Sequence, residues 1–156
     1  MKNWLVYIAA ALGFAIYGAA SNVDRDSAGA IVGEGTVDAF QVRVGDCFDD
    51  PSSLSDEVTS LKGVPCSEPH DNEAFAVFDL AIESYPPDDA MADLAHEACR
   101  ERFEPFVGRD YDSSSLDILS LFPSANSWLE NDREVICAVY DVDANKLVGT
   151  AAGTAL

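Results

Sequence analysis

The sequence predicts an α+β fold: a small, largely antiparallel sheet with one main helix packed on it, two disulfides, and a hydrophobic helix ahead of the domain. Three observations carry this. Segments of alternating apolar and polar residues flank a single stretch with helical spacing, which implies strands on either side of one helix. The clearest strand is Arg133 to Val142, where Val135, Cys137 and Val139 face one way and Ile136, Ala138 and Tyr140 the other. Four cysteines in one short chain are enough for two disulfide staples.

The chain has 156 residues, one domain plus an appendage, and a hydrophobic fraction of 48%, enough for a core. Nine Lys and Arg stand against 28 Asp and Glu, a net charge of −19. Such a chain repels nucleic acid, so no nucleic-acid partner is expected. The acidity suits solubility, or a surface for cations or a cationic partner.

Residues 1–23 form a membrane anchor or signal segment. Lys2 precedes an uncharged run from Asn3 to Val23, and Trp4 to Ala20 is almost wholly apolar. The run sits on the boundary between a secretory signal and a spanning helix, and its length favours an uncleaved anchor. Gly18, Ala19 and Ala20 before Ser21 offer a cleavage site, whereas Trp4, Tyr7 and Tyr17 near its ends suit an uncleaved anchor. The absence of a cysteine near its end excludes a lipoprotein anchor. The expectation is a single-pass protein of the cell membrane, held through residues 3–23 with its domain outside the cytoplasm; secretion after cleavage is the alternative. Residues 24–35 mix charges with Ala and Gly without a period and read as a linker. The domain proper is 36–156.

In chain order, Phe40, Val42 and Val44 alternate with Gln41 and Arg43, which predicts a strand from Thr36. Gly45-Asp46 turns the chain, and Asp49 to Ser53 is a loop by composition. Glu57 to Val64 is a weaker strand and Pro65 to Asn72 a second loop. Glu73 to Leu80 carries Ala74, Phe75, Ala76, Val77 and Phe78, apolar on both faces as a central strand requires. Pro86-Pro87-Asp88 starts a helix with Asp88 as N-cap. Met91, Leu94, Ala95, Ala98 and Phe103 mark its inner face, with Cys99 on the edge; Pro105 and Gly108 end it. Ser115 to Phe122 is a looser strand, Pro123 to Asp132 a connection holding Trp128. Asp143 to Lys146 turns into a last strand, Leu147 to Ala152.

Cys47 and Cys66 each end a strand or open a loop in the first β region, while Cys99 and Cys137 lie on the helix edge and a central strand. This pairs Cys47 with Cys66 and Cys99 with Cys137, one of three possible pairings. Cys66 and His70 are four apart, but no CxxC accompanies them, so no metal or cofactor is expected. HEAC at His96–Cys99 is not a zinc motif, since residue 100 is Arg. DVDAN at Asp141–Asn145 lacks the Gly and Glu of a calcium loop. Ser67, His70 and Asp71 are neighbours in one loop without a nucleophile elbow, so no catalytic residue is assigned. Trp128 fits equally a lid on the core and a binding anchor.

Four runs together carry a resemblance: VGDCF (Val44–Phe48), VPCSEPHDNEAFAVF (Val64–Phe78), the helix with Cys99 and Phe103 followed by Val107-Gly108, and SWLENDREVIC (Ser127–Cys137). Over roughly Phe40 to Gly149 the chain resembles the actinobacterial septum formation domain. Asn131 stands where Gly is expected before Asp132-Arg133, a substitution a left-handed turn tolerates. The resemblance implies export behind one hydrophobic segment and a link to cell division and the envelope. It brings no catalytic residues.

Two functions follow. One is a membrane-tethered extracytoplasmic binding module whose loops Cys47–Pro51, Cys66–Glu73 and Ser124–Arg133 form a recognition edge. Its partner would be an envelope or division protein, or a wall polymer. His70, Glu73, Trp128 and Arg133 are the candidate binding residues, and the loops carrying them are expected to meet at one end of the sheet. His70→Ala or Trp128→Ala should then barely move the melting temperature. The alternative is an envelope hydrolase using His70 with Glu73 in general acid/base catalysis.

Overall fold

The computed structural model describes residues 21–50 and 58–156. The expected anchor lies outside the described residues except for its last three. Among the described residues no helix is long and apolar enough to cross a membrane.

Six strands form one sheet: β1 (Gly35–Asp38), β2 (Cys47–Asp49), β3 (Ser60–Val64), β4 (Asn72–Asp79), β5 (Leu116–Leu121) and β6 (Glu134–Asp141). Their order is β1-β3-β2-β4-β6-β5, and every pairing is antiparallel. The main helix, α1, is Asp88–Val107, and a short α2 covers Ala125–Leu129. The α+β expectation therefore holds, with a fully antiparallel sheet.

α1 lies on one face of the sheet. Met91, Ala95, Cys99, Phe103 and Val107 recur every fourth residue and are all fully buried. A four-residue step keeps side chains on one stripe of the helix. Leu94 and Ala98 fall at the margin of that stripe, and Leu94 is exposed. Against the stripe stand Phe75, Leu116, Ile118, Val135, Cys137 and Val139, with Phe75 edge-on to Phe103. A bulge between Ala74 and Ala76 turns both Phe75 and Ala76 toward the helix.

Two helix boundaries differ from expectation. Pro87, not Asp88, is the N-cap, and Asp88 and Asp89 occupy the first turn, where their charge suits the dipole. The helix also runs through Pro105 to Val107. Pro105 is exposed, so the carbonyl it leaves unpaired one turn back faces water. Gly108, at φ 86, ends the helix by donating its N–H to Glu104 O.

The other face of the sheet buries Val37, Phe48, Leu61, Ala74, Ile136 and Ala138 under Ile31 and Val42. Residues read as the end of the anchor and as a linker are packed here. Asn22 N–H donates to Thr36 O at 2.9 Å, Arg25 holds Asp46 through two bonds of 2.6 and 2.8 Å, and Ile31 is 6% exposed. Composition hid this because two anchoring side chains suffice. Gly63 shows how close the approach is: a Cβ there would lie 2.7 Å from a methyl of Val37.

Three strand expectations are corrected. The first strand stops at Asp38, whose carboxylate accepts from Phe40 N–H and caps a 3-10 turn, Ala39–Gln41. Val42 is buried, but Val44 is 56% exposed, so the alternation there marks a loop. Cys47 to Asp49, assigned to turn and loop, is β2. The last strand, Leu147 to Ala152, does not form; only His70 and Leu147 bridge. The tail instead follows α1, with Gly153 N–H on Phe106 O and Ala155 N–H on Val107 O. Both disulfides pair as expected, Cys47–Cys66 and Cys99–Cys137, with Cα separations of 5.2 and 5.5 Å.

Candidate functional site

The loops with the densest polar chemistry lie at the end of the sheet where β4 begins. Cys47 in β2 stands directly opposite Glu73 in β4, and its disulfide to Cys66 ties the loop 65–71 to the sheet. Within that loop His70 is fully buried. Its Nδ1 lies 2.8 Å from Glu68 O, a carbonyl that can only accept, so Nδ1 is the donor of that bond. Nε2 has no hydrogen-bond partner among the described residues. His70 is thus a packed, singly bonded core group. His70→Ala is now expected to lower stability by about 2–3 kcal/mol, whereas His70→Asn, which keeps a donor near Nδ1, should recover part of the loss. Urea unfolding of both variants checks this; an alanine variant as stable as the parent would refute the packing role.

Glu73 is 1% exposed. One carboxylate oxygen accepts from the Thr150 hydroxyl at 2.6 Å and the other from Ala151 N–H at 2.5 Å. Both oxygens are occupied in fastening the C-terminal tail. The sulfurs of Cys47 and Cys66 and a Glu73 oxygen lie within 4.8 Å of one another. The sulfurs are bonded to each other and offer no thiolate, so this cluster does not act as a metal site in the oxidised protein.

Trp128 and Arg133 sit at the opposite end of the sheet. Glu73 pairs with Val139, and Asp79 with Glu134, so the length of β4, about 20 Å, separates the two groups. The expected meeting of the loops does not occur. Trp128 is 6% exposed, inside the helix-side core, with its ring 5.7 Å from that of Tyr85. The Arg133 guanidinium lies 3.5 Å over the indole and donates to Trp128 O at 2.9 Å. Ser124 and Ser127 cap α2 reciprocally and so aim the indole inward.

What the β4-start end does present is a groove of about 280 Å³. Asp50, Asp71, Asn72, Leu119, Tyr140 and Asn145 are among the residues that line it. Its rim is cross-braced. Lys146 reaches Asp49 at 2.7 Å and Asp71 at 2.8 Å, and Asn72 donates to Asp50 at 2.7 Å. Burial pushes the Asp49 carboxyl up, but hydrogen bonds from Lys146 and Lys62 outweigh it and hold it below its usual range. Leu119, Tyr140 and Asn145 were missed from the sequence. Leu119 and Tyr140 alternate onto the helix-free face, which was the available signal, and Asn145 lies in the turn dismissed as a calcium loop. A larger hollow of about 490 Å³ runs beside α1 between Arg100, Glu104, Asp110 and Tyr111; it is open helix surface, with Arg100 already paired to Asp112 at 2.6 Å.

At the far end, Glu134 is pushed up to about 7 by burial and by the charges of Asp132, Asp79 and Asp38. Its folded pKa thus exceeds its unfolded value, near 4.5. The folded state therefore holds the extra proton between those values, and stability falls as pH rises through that window. Glu134→Gln should raise the melting temperature at pH 8 relative to the parent and change it little at pH 4. A gain confined to acid pH would contradict the assignment.

The fold and its braced end define a small, disulfide-stapled α+β domain with an acidic groove among loops. The family described as Septum formation matches this chain over residues 44–155, and the chain belongs to that family. Membership points to a role in septum formation or cell division. No curated protein and no solved structure matches the chain. Asn131 has φ 69, the left-handed geometry that the expected Gly would take.

Proposed function

We propose that the protein is a membrane-tethered, extracytoplasmic binding module of the cell envelope that serves septum formation through the groove at the start of β4. One observation carries this reading: the groove is built from loops fixed in advance. The Cys47–Cys66 disulfide and the Lys146 bridge between Asp49 and Asp71 hold its walls. A preformed surface loses less entropy on association. Carboxylates of Asp50, Asp71 and Asp141 around Leu119 and Tyr140 suit a basic segment of an envelope or division protein. The hydrolase alternative draws no support from His70 and Glu73, which are buried and bonded to their own chain.

Asn145→Trp tests the groove. Asn145 is exposed in a turn, where its side-chain amide donates to Asp141 at 3.0 Å, so the variant loses one surface hydrogen bond and should fold with a melting temperature within a few degrees of the parent's while filling the groove. Its soluble domain should capture no partner from envelope fractions that the parent captures, and its gene should fail to support septation. Normal capture and septation by a folded variant would move recognition elsewhere.

A further inference from the structure

We infer that the partner's basic segment is held as a further strand, paired antiparallel along the outer edge of β5. This rests on the groove reading above and adds how the segment is gripped. β5 ends the sheet order, and among the described residues no strand pairs with its outer side. Ile118, Leu119 and Ser120 of β5 also line the groove, so one wall of the groove is this open edge.

The direction of the backbone groups along β5 follows from one bond. Val142 N–H donates to Ser115 O at 3.1 Å, so Ser115 turns its backbone toward β6. Alternation gives Asp117, Leu119 and Leu121 the same direction and turns Leu116, Ile118 and Ser120 outward. The first part of the outer edge is already occupied. Ser114 Oγ accepts from Leu116 N–H at 3.0 Å, and Asp117 Oδ1 accepts from Ile118 N–H at 2.7 Å. The hydroxyls of Tyr111 and Tyr140 fix the Asp117 carboxylate, at 2.5 and 3.0 Å. These side chains blunt the edge against indiscriminate pairing. Beyond them, among the described residues, nothing bonds the Ile118 carbonyl or either backbone group of Ser120 from that side.

An extended segment laid beside this window continues the ladder through those three groups. Its side chains alternate between the two faces of the sheet. On the helix-free face they meet the groove, where Asp50, Asp71 and Asp141 favour Lys or Arg. On the other face they lie by Ile118, and Phe122, 38% exposed, follows at the end of β5; apolar residues suit that side. A second copy of this chain is a poor occupant, since each copy carries a net charge of −19.

The test uses the full chain, isotope-labelled, and two synthetic peptides of alternating lysine and valine. One is unmodified. The other is N-methylated at every valine, whose amides would face β5, because residues directly opposite in a ladder share a face. With the unmodified peptide, hydrogen exchange at the Ser120 amide should slow at least about tenfold, and the Asn72 and Asn145 amide signals should shift. The methylated peptide, equal in charge, should bind at least about tenfold more weakly, having lost its donors to Ile118 and Ser120. Equal binding of both peptides, with Asn72 and Asn145 shifting and Ser120 unprotected, would overturn the added strand and leave the groove standing. Protection of Ser120 while Asn72 and Asn145 stay unmoved would overturn the groove reading alone. Binding of neither peptide would overturn both, and protection of Ser120 that rises with protein concentration alone would replace the basic segment by a second copy.

Discussion

Replacing Cys99 and Cys137 together by alanine is expected to lower stability by about 4 kcal/mol on chain-entropy grounds, since the bridge closes a long loop. The two residues are 38 apart in sequence and both fully buried. They join the inner stripe of α1 to β6, so their removal also leaves small voids between helix and sheet. The shorter bridge, Cys47–Cys66, spans 19 residues and should cost about 3 kcal/mol. Urea midpoints of the two double variants would rank them. If losing the Cys99–Cys137 bridge leaves the midpoint unchanged, the helix is held by packing alone.

Trp128→Ala should cost about 3–5 kcal/mol, the range for removing a buried aromatic. The indole fills the space between Tyr85 and the helix-side core and supports the Arg133 guanidinium on its face. Arg133→Ala should cost less, about 1–2 kcal/mol, through the lost stacking and hydrogen bonds. Near-UV circular dichroism and urea unfolding together check this. A Trp128→Ala domain that unfolds with the parent yet loses its partner would return the tryptophan to the surface.

The central fold was legible because its signals are local and redundant. β6 alternates cleanly, β4 is apolar on both faces, and α1 repeats its inner residues every turn. The cysteine pairing followed from placing those elements. The candidate site was much less legible, because burial is a property of the whole fold. His70, Glu73, Trp128 and Arg133 are polar or amphipathic types that suit surfaces, yet each is spent on its own chain. For Glu73 the partners are Thr150 and Ala151, which no local pattern near Glu73 announces. Phe40 to Val44 alternates like a strand, but Asp38 hydrogen-bonds the following backbone and ends the ladder. The segment 24–35 looked like a linker because a few long-range bonds, chiefly Arg25 to Asp46, fasten it.

The Glu73 clasp has a consequence for how the chain comes to be folded. Glu73 lies in a central strand, yet the groups that solvate its carboxylate are 77 and 78 residues further on. Those groups follow the last strand of the described residues, which ends at Asp141. Until they dock, β4 carries an acid that burial penalises, so the sheet cannot close early around it. A product truncated before Thr150 would keep every strand of the described residues and both cysteine pairs, and still fail at its centre. Residues 150 and 151 thus finish the centre of the sheet, through one buried carboxylate.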